Sequence, residues 1–173
     1  MSLRVSEFIV VGAACSFVVF WAGPIYAAPE RTCGGERTLF QCSVRGGGEV
    51  ALCSRYIGGE LSGVQYRFAR EGGKGFIFPD SGFSFDDFKA NHFLRYQVDY
   101  KLIKFSVGSY IYSLYSNYDG EGGEGGQKNA GVLISDPSGK TVDEMPCVQI
   151  VSDNLGEVIH RVKCDIDDAL GCK

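Results

Sequence analysis

Apolar residues along much of the chain recur at every second position, in short runs cut by glycine or proline, which is the period of strands with one buried face. Val64, Tyr66 and Phe68 alternate with Gln65 and Arg67, and Ile103, Phe105 and Val107 alternate with Lys104 and Ser106. After Gly108-Ser109 the chain resumes as Tyr110-Ile111-Tyr112-Ser113-Leu114-Tyr115. A two-residue Gly-Ser connection suits a type II′ hairpin turn. It predicts Val107 opposite Tyr110, Phe105 opposite Tyr112 and Ile103 opposite Leu114, with all of them on one apolar face. Gly46-Gly47-Gly48, Gly72-Gly73 and Asp136-Pro137-Ser138-Gly139 signal further hairpins, the last with Pro in the second place of a type I turn. Such strands, closely spaced and rich in Phe and Tyr, predict an all-β fold: an antiparallel, hairpin-built sandwich or small barrel.

Two stretches break the alternation. Phe83 to Phe93 reads either as a short helix, with Phe85 and Phe88 three apart, or as an irregular crossover. Asp153 to Gly171 carries Val158, Ile159 and Val162 at helical spacing. The expected organisation is therefore a β-domain over 28–147 and a short, partly helical C-terminal extension over 148–173.

The opening of the chain has another character. Arg4 precedes an apolar run from Phe8 to Tyr26, and the small pair Ala27-Ala28 follows. This basic, apolar, small-residue order predicts a secretory signal peptide over 1–27, cleaved after Ala27. The run is borderline in length for an uncleaved anchor, but Gly12, Ser16, Gly23 and Pro24 weaken it as a span. No later run approaches the length of a membrane helix, so no membrane span is expected after cleavage. The expected location is periplasmic or secreted.

The full chain of 173 residues has 17 Lys and Arg against 21 Asp and Glu, a net charge of -4. With no dominant basic surface, nucleic acid is not an expected partner. Of the seven cysteines, Cys15 leaves with the leader. Cys33, Cys42, Cys53, Cys147, Cys164 and Cys172 remain, and an even number in an exported chain reads as a disulfide framework. There is no C-x-x-C, and His92 and His160 do not stand at zinc spacing from a cysteine pair. If Gly47 and Gly48 are the central pair of a two-residue turn, counting outward brings Cys42 opposite Cys53, at the roughly 4.5 to 5.5 Å Cα separation that a disulfide tolerates. Nearness along the chain suggests Cys164 with Cys172.

Motifs for hydrolase elbows, zinc proteases and nucleotide loops are missing from the sequence. No catalytic residue, cofactor or metal ion is expected. Asp86-Asp87 reads as an acidic helix start, and His92 and His160 as packed or solvent-facing histidines. Asp119, Glu121 and Glu124 put three carboxylates among glycines, where a calcium ion could gather them, but the match to an EF-hand loop is poor, so a mobile connector between strands ending near Asn117 and resuming near Ala130 is expected. Asp165, Asp167 and Asp168 fail that pattern too. Among the tyrosines, Tyr110 and Tyr112 share the core face by parity, which leaves Tyr115 and Tyr118, with the acids beside them, as surface-binding candidates.

The strings FQCSVRGGGEVALCS, GVQYRFAREGG and FIFP, followed by YSLYSNYDGEGG, GVLIS and PC, resemble a group of small exported proteobacterial proteins. Their shared features are a cysteine strand, an LC strand and a QYRFG-like strand. The likeness runs over most of residues 39 to 147, with Ala69 where a glycine is usual. It implies a periplasmic or secreted all-β domain and no particular activity. The leading expectation is a non-enzymatic exported binding domain whose partner is a protein or glycan of the envelope or exterior. An alternative is a periplasmic inhibitor of a cell-wall hydrolase, with Ser62-Gly63-Val64-Gln65-Tyr66 as a faint signature. A further alternative is a small hydrolase using Asp86 or Asp87 with His92.

Overall fold

The computed structural model describes residues 32–70, 72–73, 75–121 and 125–172, so the expected signal peptide and Glu124 lie outside the described residues. The strands are β1 (Arg37–Val44), β2 (Glu49–Ile57), β3 (Glu60–Ala69), β4 (Phe76–Phe78), β5 (Lys89–Arg95), β6 (Val98–Val107), β7 (Tyr110–Asp119), β8 (Gln127–Ser135), β9 (Thr141–Asp153) and β10 (Lys163–Cys164). They form one ten-stranded sheet in the order β10-β5-β6-β7-β8-β9-β1-β2-β3-β4. All pairings are antiparallel except β10 with β5. The sheet curls on itself as a half-barrel, in keeping with the expected all-β, hairpin-built fold. β9 makes this possible by pairing with β8 up to Pro146 and with β1 from Cys147 onward.

The Gly108-Ser109 hairpin has the expected register, with Val107 opposite Tyr110, Phe105 opposite Tyr112 and Ile103 opposite Leu114. Gly108 has φ +57°, as the first central position of a type II′ turn requires. Along this shared face burial declines toward the turn, from Ile103 and Leu114 at 0% exposure to Tyr110 at 48%. Tyr110 is therefore a correction to its expected core place: its parity is right, but it stands beyond the end of the core.

Phe105 lies at the centre of an aromatic cluster, with ring centroids 4.7 Å from Phe78, 4.9 Å from Tyr66, 5.1 Å from Tyr112 and 5.5 Å from Phe88. These rings come from both halves of the sheet and hold it curled. Each fully buried aromatic of this kind contributes about 1.5 to 3 kcal/mol. Phe83 to Phe88 is an irregular crossover that bridges to β3 through paired Ser84 and Val64 backbones, and β5 begins at Lys89.

The β1–β2 turn corrects the expected cysteine pairing. Gly46, Gly47 and Gly48 all have positive φ, and the amide of Val44 donates to the carbonyl of Gly48, so the turn is longer than two residues. Cys42 consequently faces Val50, not Cys53. The register has moved by three positions, an odd number, which sends the two cysteines to opposite faces of the sheet. Cys42 joins the main core, whereas Cys53 joins a small cluster with Cys33, Ala51 and Phe83. The disulfides are Cys33–Cys53, Cys42–Cys147 and, as nearness suggested, Cys164–Cys172.

β9 carries the sheet on to Asp153, beyond the expected start of the extension at 148. The helical part reduces to one 3-10 turn, Leu155–Glu157, followed by tight turns. Its spacing still served burial: Leu155, Val158, Ile159 and Val162 enter the main core. Residues 163–172 then cross to the outer face of β5 and β6.

Candidate functional site

On the outer face of β6 to β9 the register sets side chains in rows. One row is Tyr100, Asn117 and Asn129; the next is Leu102, Tyr115, Gly131 and Pro146; a third holds Ser113, Leu133 and Glu144. Asp168 and Leu170 of the C-terminal loop form a wall, and with the residues of these rows other than Gly131 and Ser113 they line a cleft of about 700 Å³.

Gly131 shapes the floor. A Cβ there would lie 2.6 Å from the Met145 carbonyl oxygen and 2.8 Å from the Tyr115 hydroxyl, so the glycine is what lets the tyrosine lie across β8. The Tyr115 hydroxyl donates to Glu144 Oε1 at 3.1 Å. Burial, and then this carboxylate, push the Tyr115 phenol up to about 12. Tyr100 donates to Asp119 Oδ2 at 2.9 Å, and that bond raises its pKa. Both phenols are thus protonated and fixed in direction near neutral pH. The side-chain amides of Asn117 and Asn129, which face each other across β7 and β8, have no hydrogen-bond partner among the described residues. The cleft is therefore a mainly apolar surface with two tyrosines whose hydroxyls are engaged, two available amides, and two carboxylates, Glu144 and Asp168.

Of the expected binding residues that are described, Tyr115 alone lies in this cleft. Tyr118 is 40% exposed but belongs to the opposite face of β7. Asp119 and Glu121 are already engaged. Asp119 accepts the Glu121 amide and the Tyr100 hydroxyl, which hold it below the usual carboxylate range, while Glu121 takes both arms of Arg95 at 2.5 and 2.7 Å. The flanking strands reach Asp119 and resume at Gln127, so the connector is shorter than expected. Among the described residues no group of acids, histidines and cysteines is arranged to hold a metal ion.

The hydrolase constellation does not assemble. His92 Nε2 meets Asp99 Oδ1 at 2.8 Å, Lys101 pairs with the other oxygen of Asp99, and the His160 ring lies 5.8 Å away. His92 and His160 share a small pocket with Cys164 and Cys172, whereas Asp86 and Asp87 line a different one with Phe78 and Lys104. Ser62 to Tyr66 lies within β3, where Val64 and Tyr66 have 0% exposure, and does not form a presenting loop. Asp165 and Asp168 hold Lys104, with Asp165 at 2.8 Å, and Asp165 also takes Lys89 at 3.0 Å. These acids are structural clamps for the C-terminal loop.

Sequence reasoning missed Asn117, Asn129, Gly131 and Leu133. Their signal was the register of β7 against β8, which a longer glycine-rich connector hides. Among the described residues no helix is long and apolar enough to cross a membrane. Comparison with protein-family models, with curated proteins and with solved structures gives no match.

Proposed function

We propose that this chain is an exported, disulfide-braced β-domain that acts by binding, with the outer cleft around Tyr115 as its binding site. The observation that carries the reading is the cleft itself. A tyrosine is tethered by its hydroxyl beside a glycine that makes room for it, flanked by unpartnered amides and apolar walls, the usual make-up of a recognition pocket. Three disulfides suit a chain that works outside the reducing cytoplasm, and the apolar leader and the likeness to exported proteins agree with that location.

The test compares the wild-type protein with Leu133→Asp, which places a charge in the cleft at a half-buried position of its wall. Both are immobilised and washed with envelope extract and culture medium. Components retained by the wild type and lost by the variant support the reading. Identical retention by both, with the variant folded by circular dichroism, overturns it.

A further inference from the structure

We propose that the outer cleft takes a neutral, pyranose-based oligosaccharide, stacked on Tyr115 and hydrogen-bonded by the side-chain amides of Asn117 and Asn129. This rests on the reading of the cleft as the binding site and names its ligand class.

Four features narrow the chemistry. The first is the ring: Tyr115 lines the cleft with its hydroxyl lodged against Gly131 and tethered to Glu144, so the ring is held in place and can stack on a ligand at low entropic cost. A pyranose presents an apolar face of C–H groups that matches such a ring, and its hydroxyls point outward around the rim. The second is the amide pair. Asn117 and Asn129 are register partners at one end of the cleft, and each amide supplies a donor and an acceptor, which suits hydroxyls that both give and take protons.

The third feature is charge. The acidic side chains lining the cleft are Glu144 and Asp168, and Asp168 is neutralised by Lys104. The Lys101 ammonium is committed to Asp99. What remains for a ligand is net negative, which disfavours phosphate, sulfate or uronic acid groups by repulsion without a compensating cation. The second oxygen of Glu144 is free to accept a hydroxyl. The fourth is the absence of a free edge. β6, β7, β8 and β9 are each paired on both sides, so an extended peptide cannot add to the sheet here by main-chain hydrogen bonds. Recognition must come from side chains on the sheet face.

The experiment is a two-dimensional amide NMR titration of the purified exported protein, read at the side-chain amides of Asn117 and Asn129 and the backbone amide of Gly131. Four probes are used separately: cellohexaose, the hexamer of N-acetylglucosamine, hexagalacturonate and a ten-residue polyproline peptide. A neutral hexasaccharide is expected to shift all three reporters, and hexagalacturonate to leave them unmoved. Asn129→Ala, at an exposed position, should weaken the neutral sugar roughly tenfold, about the effect of one hydrogen bond. Shifts with polyproline and none with either neutral sugar would overturn the glycan assignment and leave the cleft as a binding site. Silence at the reporters with every probe, together with identical retention by Leu133→Asp, would overturn both.

Discussion

The side-chain nitrogen of Asn91 donates to the carbonyl oxygen of Asp165 at 2.8 Å and to that of Gly171 at 2.9 Å. Asn91 is 1% exposed, and those two carbonyls stand near the two ends of the loop closed by Cys164 and Cys172. One buried amide thus docks the loop whose Asp168 and Leu170 wall the cleft. In Asn91→Ala both carbonyls lose their donor, and stability should fall by about 1 to 3 kcal/mol. Asn91→Asp should cost more, because a carboxylate would face two carbonyl oxygens. Urea unfolding measures the loss, and hydrogen exchange should show Asp168 and Gly171 amides losing protection. Unchanged protection in Asn91→Ala would mean that the disulfide and the Lys104 clamp hold the loop alone.

Peptide mapping without reduction should link Cys42 to Cys147 and Cys33 to Cys53. Their sequence separations of 105 and 20, against 8 for Cys164–Cys172, set the expected order of importance. In the chain-entropy account, closing the longest loop stabilises most, roughly 4 to 5 kcal/mol against about 3 for a loop of some fifteen residues. Removing Cys42–Cys147 also unties β9 from β1 inside the core. The paired Ala variants, compared by thermal unfolding, should lose stability in that order. A fragment joining Cys42 to Cys53 would contradict the longer turn between β1 and β2 and the register it sets.

Acid should destabilise the fold through three carboxylates. For Asp153, burial lifts the pKa, but hydrogen bonds from Lys128 at 2.8 Å and Ser116 at 2.7 Å outweigh it and hold the group below its ordinary value. Lys104 and Lys89 likewise hold Asp165 below it against burial. Asp99 is lowered against burial by Lys101 and His92. The unfolded chain lacks these partners and takes up protons at higher pH, so the stabilisation is complete above the ordinary carboxylate value of about 4 and is lost as pH falls through the depressed folded values. The urea midpoint should therefore hold from neutral pH to about 5 and then drop. Asp153→Asn should start lower and fall less steeply. An acid limb as steep as that of the wild type would place the effect on other groups.

Local chemistry was readable where a few neighbouring residues decide the outcome. A Gly-Ser pair with one positive φ leaves a single register for its flanking strands, and every pair read outward from Gly108 is found. The Asp136 turn is similar, with Asp136 Oδ1 accepting the Ser138 and Lys140 amides. Three consecutive glycines do not specify a turn in this way, because each tolerates positive φ, and the β1–β2 register slipped by an odd number from its expected place.

The sequence by itself determined that the chain folds as β-hairpins, which residues alternate inward, that Tyr115 stands apart from the tyrosines on the core face, and that the C-terminal cysteines can meet. Those outcomes follow from the two-residue period and from contacts close along the chain. Tertiary structure alone decided that Cys42 finds Cys147, that His92 meets Asp99 and not Asp86 or Asp87, and that Asn117, Asn129, Gly131 and Leu170 converge around Tyr115. Each depends on how far a strand runs before it turns and on which strand closes the curl. Those choices are settled by burial of the whole core, since a shift of one residue in any register turns a complete set of side chains to the other face.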